Sequence, residues 1–393
     1  MTGETRDSPP EAPSPGPAAT EAPGTAEGAG AAATAAPESE PAKAIARAEE
    51  ALRRPLPAGA DHQIGELLDL VGARENRDLL RDLIRTSLHL GNGVPSRLDM
   101  KIATSALSEM ARAFQLFAPF RDTPKLTMFG SARTRPDDPL YAQAKELAAR
   151  MAREGWMVVT GAGPGIMAAG TDGAGADMAI GVDIRLPFES VSHPELAAEG
   201  RLVEMKYFFT RKLMLMKESA GFAVLPGGFG TLDEAFELLT LLQTGKAEPA
   251  PIVLVDVPGE PYWESWERFV TGEVIRRGLA SPEDSAFYRI TADVDEAVGE
   301  ILDFYRNYHS RRFVGSVMVI RLRTAPSDSE LAELNSGFAD CCSERGIWRT
   351  GPLPPERSDK QHLELPRVAF ELDLRFQGRF RQLIDALNRC GGT

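Results

Sequence analysis

From about residue 125 onward, short apolar runs alternate with longer stretches of helical spacing. Residues 126–129, 156–160, 178–184, 220–225, 251–256 and 287–290 are brief and apolar, the pattern of buried strands. Residues 140–154, the segment opening at Ile166, the stretch after Lys206, and residues 263–277 and 295–308 carry the helical pattern between them. Strands alternating with helices in this way predict a parallel sheet covered on both faces. The fold class is α/β, a doubly wound, Rossmann-like sheet with right-handed crossovers. A loop at Leu186-Pro187-Phe188-Glu189 is expected to lead into the stretch that opens at Lys206.

The flanks read differently. Ile64, Leu67, Leu68 and Val71, then Leu79, Leu80, Leu83 and Ile84, have helical spacing. Gly91-Asn92-Gly93 is a break, and Ser96 suits the N-cap of a longer helix reaching Phe117. On the other side, residues 317–322 and 368–374 read as strands, and residues 329–345 and 380–387 as helices. Residues 357–362 are polar enough for a hairpin loop. That β-α-β-β-α order suggests a small ferredoxin-like or ACT-like α+β module. Residues 1–57 are rich in Ala, Pro, Gly, Glu and Thr and nearly lack large apolar side chains. Such a segment cannot bury enough surface to offset its ordering entropy and is expected to be a disordered tail. The divisions expected are therefore a tail at 1–57, a helical segment at 58–122, a Rossmann-like domain at 123–310 and a module at 311–393.

Composition narrows the function. The chain has 393 residues and a formal net charge of −13, which argues against a general nucleic-acid binder. Three cysteines, two of them the adjacent Cys341 and Cys342, form neither a disulfide framework nor a zinc pattern. No apolar run is long enough to span a bilayer and no signal-peptide pattern opens the chain, so a cytoplasmic protein without membrane partners is expected.

The candidate chemistry lies between Lys206 and Glu234. Thr210-Arg211-Lys212 opens a helical pattern, residues 220–225 form a strand, and Pro226-Gly227-Gly228-Phe229-Gly230-Thr231-Leu232-Asp233-Glu234 reads as strand end, glycine turn and helix start. Glycines let backbone N–H groups approach an anion, and a helix N-terminus adds a favourable field, so a phosphate is the natural guest. A Gly-Gly pair alone would be only a tight turn; Arg211 upstream and Glu234 downstream argue for a site. Asp233 reads as an ordinary first-turn acid. A second glycine turn, Gly161-Ala162-Gly163-Pro164-Gly165, has Asp183 at a distance suiting a dinucleotide's ribose. Its third glycine is misplaced, however, because Ile166 holds that position, and an imperfect G-x-G is weak evidence for an NAD(P)-type protein.

The string from Pro226 to Glu234, preceded by Thr210-Arg211-Lys212, resembles the LOG family of cytokinin-activating phosphoribohydrolases, many of which carry a "lysine decarboxylase-like" label. Phe129-Gly130-Ser131-Ala132-Arg133 with Tyr141, and the turn from Gly161 to Met167, resemble it too, so the likeness covers roughly residues 126–308. Three departures stand out. Ala162 replaces the middle of three glycines, Asp183 stands where Asn is frequent, and the loop holding His193 differs. The resemblance implies hydrolysis of the N-glycosidic bond of a nucleoside 5′-monophosphate, AMP or a cytokinin nucleotide, with Arg211 and Glu234 catalytic. It implies substrate contacts from Gly130, Ser131, Arg133, Gly161, Gly163, Gly165, Lys212, Gly227, Gly228, Gly230 and Thr231, a homodimer or higher oligomer, and no metal or cofactor. Lysine decarboxylation would need a Schiff-base lysine, and nothing marks Lys212 or Lys217 as one. The other reading left open is a nucleotide-binding regulator that senses its ligand without turning it over.

Overall fold

Seven short strands make one parallel sheet: β1 (Lys125–Phe129), β2 (Met157–Thr160), β3 (Ala179–Ile184), β4 (Leu202–Met205), β5 (Gly221–Val224), β6 (Ile252–Val255) and β7 (Tyr288–Thr291). The computed structural model describes residues 56–57, 59–91, 95–185, 193–373 and 375–391; the tail expected at 1–57 lies almost wholly outside them, as does the loop at 186–189. Strands neighbour one another in the order β4-β3-β2-β1-β5-β6-β7, every pair parallel. β1, β2, β5 and β6 are buried along their whole length, which a sheet covered on both faces requires. Alternate residues feed two cores. Phe129, Val159, Val182, Val224 and Leu254 pack with helices Arg97–Phe117, Phe208–Lys217, Phe229–Gln243 and Tyr262–Phe269. Met128, Val158, Ala223 and Val253 pack with helices Pro139–Arg153, Ile166–Ala174 and Val294–Asp303. Among the described residues no helix is long and apolar enough to cross a membrane.

The order of strands along the chain reverses between β1 and β5, so the loops leaving them diverge and a crevice opens at their carboxyl ends. Six strands were expected and the seventh, β4, was not. It is an edge strand of four residues, Leu-Val-Glu-Met, in which only Val203 and Met205 are buried. So brief a run carries little periodicity.

A second, antiparallel sheet has the order β10-β11-β9-β8, from β8 (Tyr308–Val314), β9 (Val317–Leu322), β10 (Trp348–Thr350) and β11 (Arg367–Phe370). Helices Asp328–Gly337 and Gln377–Arg389 cover one face through Leu334, Phe380, Leu383 and Leu387. The expected β-α-β-β-α run is thus preceded by β8, which pairs with β9 as a hairpin. Tyr308, which opens it, was expected to end the helix over 295–308 and the rest carried no strand expectation; that helix stops at Asp303. The helix expected over 329–345 ends at Gly337, and part of the expected hairpin loop is the short helix Pro354–Ser358. Ser96–Thr393 form one compact unit. Ser96 caps the helix Arg97–Phe117 as expected, in a reciprocal box with Asp99. In the unit before Ser96, helices Ala60–Leu70 and Arg77–Gly91 are tied by ion pairs of Arg85 with Asp61 and Arg77 with Asp69, each at 2.7 Å.

Candidate active site

Three glycine-bearing loops leave the carboxyl ends of β1, β2 and β5 and meet on the backbone of one residue. The Ser131 N–H donates to the Pro226 carbonyl at 3.2 Å, and the Ser131 carbonyl accepts from the Ile166 N–H at 3.0 Å. Several glycines are demanded by this closeness. Gly165 has φ +70°, and a Cβ there would strike the Ser131 carbonyl. A Cβ on Gly130 would lie 2.6 Å from the Ile166 side chain, and one on Gly227 would overlap Thr231. Gly161 leaves room for the Arg211 guanidinium, and Gly163 for Met167. Gly228 and Gly230 differ: a Cβ on either would meet no protein atom within 4 Å, and Gly228 has an ordinary φ of −86°. The protein's own packing does not call for glycine at those two positions, which border the crevice.

Helices Ile166–Ala174 and Phe229–Gln243 begin here, on Gly165 and Gly228, and neither has a side-chain cap. Their first-turn N–H groups lack intrahelical partners and favour an anion. Tyr262 steadies the β5 loop by donating its hydroxyl to the Gly227 carbonyl at 2.6 Å.

Arg211 lies in the first turn of Phe208–Lys217 and is only 8% exposed. Its Nε donates to the Val182 carbonyl at 2.9 Å and its Nη2 to the Gly161 carbonyl at 3.3 Å. Burial holds its pKa below the usual guanidinium value, against the opposing charges of Glu234 and Asp183. Glu234, in the first turns of Phe229–Gln243, is pushed up to about 7. Burial is the main cause, with Arg211 and Lys212 pulling the other way and Asp233 and Glu237 adding to the rise. An acid and a buried cation therefore feel each other's charge at the carboxyl ends of the strands, and burial pushes the acid up to about 7.

The other expected residues divide. Thr231 is buried against Gly227. Arg133 is exposed, and its backbone N–H donates to Ser131 Oγ at 3.0 Å. Lys212, expected to touch substrate, has its ammonium held by Asp233 at 2.5 Å and Glu237 at 2.6 Å. Burial pulls its pKa down, but these two carboxylates outweigh it and the net shift is upward. Lys212 thereby ties its helix to Phe229–Gln243, and Asp233 is a partner in that tie.

Sequence reasoning missed Tyr262, Glu109 and His193 as neighbours of the site. His193 is buried beside the β2 loop, with Nδ1 2.8 Å from Glu195 Oε1 and Nε2 3.4 Å from the Gly163 carbonyl. Glu109 was detectable as an acid on the apolar face of its helix, whose buried residues are Ala106, Glu109, Ala113 and Phe117. Ala162 takes φ +54° where the LOG pattern has glycine, a conformation costing a residue with a Cβ about 1 kcal/mol. A cleft of about 930 Å³ at the opposite, amino-terminal ends of the strands is lined by Phe114, Arg121, Lys125, Lys217 and Arg323 among others. Neither Arg211 nor Glu234 lines it, and its Lys125 ammonium is engaged by the carbonyls of Phe120 and Thr123 at 2.6 and 2.9 Å.

A family model described as "Possible lysine decarboxylase" matches residues 164–301. A probable cytokinin riboside 5′-monophosphate phosphoribohydrolase of Oryza sativa subsp. japonica is 31% identical over 120 residues, covering 30% of this chain and 54% of that protein. A cytokinin riboside 5′-monophosphate phosphoribohydrolase of Mycobacterium tuberculosis is 31% identical over 150 residues, covering 37% of this chain and 78% of the relative. The chain thus spans about half the length of the first relative and over three quarters of the second. Among solved structures, a molybdenum cofactor carrier protein of Chlamydomonas reinhardtii is similar over 46% of this chain and 98% of its own, at 19% identity and a TM-score of 0.31, a likeness too slight to bear on function.

Proposed function

The chain belongs to the cytokinin riboside 5′-monophosphate phosphoribohydrolase, or LOG, family, and on that footing we propose that it hydrolyses the N-glycosidic bond of a nucleoside 5′-monophosphate. One observation carries the reading: Glu234, its carboxyl pushed up to about 7 by burial and interacting electrostatically with the buried Arg211 guanidinium, stands in the first turns of the helix that follows the glycine-built β5 loop. A phosphate-binding turn alone would need no acid so near an anion.

The 5′-phosphate takes the first-turn N–H groups after Gly228 and those after Ile166, whose own N–H donates to the Ser131 carbonyl; this pins the ribose and leaves C1′ toward Glu234. As the bond from C1′ to the base nitrogen breaks, positive charge grows on C1′ and the ring oxygen. The Glu234 carboxylate stabilises that charge and takes a proton from the attacking water, whose oxygen bonds to C1′. The proton passes from the Glu234 carboxyl, directly or through solvent, to the departing base nitrogen, so that water's OH ends on C1′ and its H on the base, and ribose 5-phosphate is the second product. Arg211 cannot act as a base; its rigid fork orients phosphate or ribose oxygens. Lysine decarboxylation, the label on the family model, fits poorly, because Lys212 is held between two carboxylates rather than presented to a carbonyl.

The test is release of free adenine, followed by chromatography. AMP is expected to be cleaved and adenosine far more slowly, because binding energy from the phosphate positions C1′. Equal rates on the two would remove the cradle from the mechanism. No release from any nucleoside monophosphate would favour the sensing role.

A further inference from the structure

Helix Arg97–Phe117 lies outside residues 164–301, which the family model matches, yet it reaches the candidate site. Its buried face carries Ala106, Ala113, Phe117 and one charge, Glu109, which is 3% exposed. A carboxylate is retained in such a place only where it is hydrogen-bonded. Glu109 Oε2 accepts from the Thr210 hydroxyl at 2.7 Å and from the Tyr207 N–H at 3.4 Å. The Thr210 hydroxyl also lies 2.8 Å from the Tyr207 carbonyl, and the charged acceptor is the stronger of the two.

Tyr207 immediately precedes helix Phe208–Lys217 and has no side-chain cap of its own. Glu109 therefore supplies from another helix what the third-residue carboxylate of a capping box ordinarily supplies from within: an acceptor for the N–H of the N-cap residue and a negative charge at the N-terminus. The residue after Thr210 is Arg211, whose guanidinium is held at its far end by the carbonyls of Val182 and Gly161. With the side-chain tip fixed on the sheet and the helix start fixed by Glu109, the fork has little freedom left.

We propose that Glu109 is a positioning residue for the hydrolysis, fixing through Thr210 the helix turn that presents Arg211; this rests on the function proposed above. The competing account is that Glu109 only stabilises the fold. Three variants separate them. Glu109→Leu fills the space without an acceptor, Glu109→Gln keeps an acceptor oxygen, and Thr210→Val removes the donor from the other side. Positioning predicts that Glu109→Leu and Thr210→Val each lower kcat/KM for adenine release from AMP by about 10–10²-fold, the cost of a misplaced reacting group. Glu109→Gln should recover most of that loss, and the Glu109→Leu, Thr210→Val double variant should be no worse than Glu109→Leu alone.

Amide hydrogen exchange gives a readout that needs no turnover. The N–H groups of Tyr207 and Arg211, bonded to Glu109 and to the Tyr207 carbonyl, should exchange faster in Glu109→Leu, and those of residues 214–217 should not. Unchanged exchange at Tyr207 and Arg211 overturns the positioning role, as does faster exchange with wild-type kcat/KM. A wild type that releases no base overturns the hydrolase reading, while the exchange result still decides whether Glu109 holds the helix. Should Glu109→Leu fail to fold, Thr210→Val carries both measurements.

Discussion

Glu234 is the residue on which the proposed chemistry turns. Glu234→Gln keeps shape and hydrogen bonding but removes the charge. Turnover of AMP should fall by about 10²–10⁴-fold, the range for a positioned acid or base. Binding measured by calorimetry should survive or tighten, because a negative charge near the phosphate is gone. Wild-type turnover in that variant would reduce Glu234 to a helix-start carboxylate. The same residue sets a pH dependence. Its folded pKa of about 7 lies above the unfolded value of 4.5, so the native state binds the proton more tightly. Its contribution to stability falls as pH rises from about 4.5 to about 7 and stays low above that. Glu234→Gln should therefore gain stability relative to wild type at pH 8, by roughly 1–3 kcal/mol, and little at pH 4. If the carboxylate is the active form, kcat/KM should rise through about pH 7 in the wild type, and that limb should vanish in Glu234→Gln. A falling limb there would assign Glu234 the role of acid instead. Arg211→Ala should lose binding as well as turnover, because in the proposed mechanism its fork holds the ground state too.

At the scale of elements, the join between loops is the sensitive part. Gly165 combines φ +70° with contact against the Ser131 carbonyl. Gly165→Val should cost roughly 1–3 kcal/mol or more in chemical denaturation and abolish AMP binding. Preserved binding would mean the β2 loop lies outside the cradle. This join also marks how far the sequence could be read. The glycine turns after residues 129, 160 and 225 were visible because a strand followed by glycines and a helix start has a local signature. That all three meet on Ser131 was not, since no spacing encodes a contact between residues 131, 166 and 226. Lys212 shows the converse limit. The resemblance implied a substrate contact for it; that its ammonium meets Asp233 and Glu237 could not be read from sequence, because the two acids lie on another helix. β4 and β8 escaped because one is four residues long and the other carries Arg311 and Arg312 within it.

For the molecule as a whole, the carboxyl-terminal module is fastened to the main sheet by close backbone packing and ion pairs. Gly378 abuts the backbone of Glu283 and Asp284, Arg381 pairs with Glu300 at 2.5 Å, and Arg311 pairs with Glu248 at 3.0 Å. Gly378→Val should destabilise the whole unit by roughly 1–3 kcal/mol, seen as one cooperative transition at lower Tm. Two separated transitions would show that the module unfolds by itself. The reversal of strand order has a further, kinetic consequence. β2, β3 and β4 add outward from β1 in chain order, but β5 must return past all three to pair with the other side of β1. That closure is the most non-local in the sheet, and non-local pairing is slow to form. Because the crevice exists only once β5 is seated, ability to bind AMP should return in refolding with the slowest tertiary phase, after most helical signal has recovered.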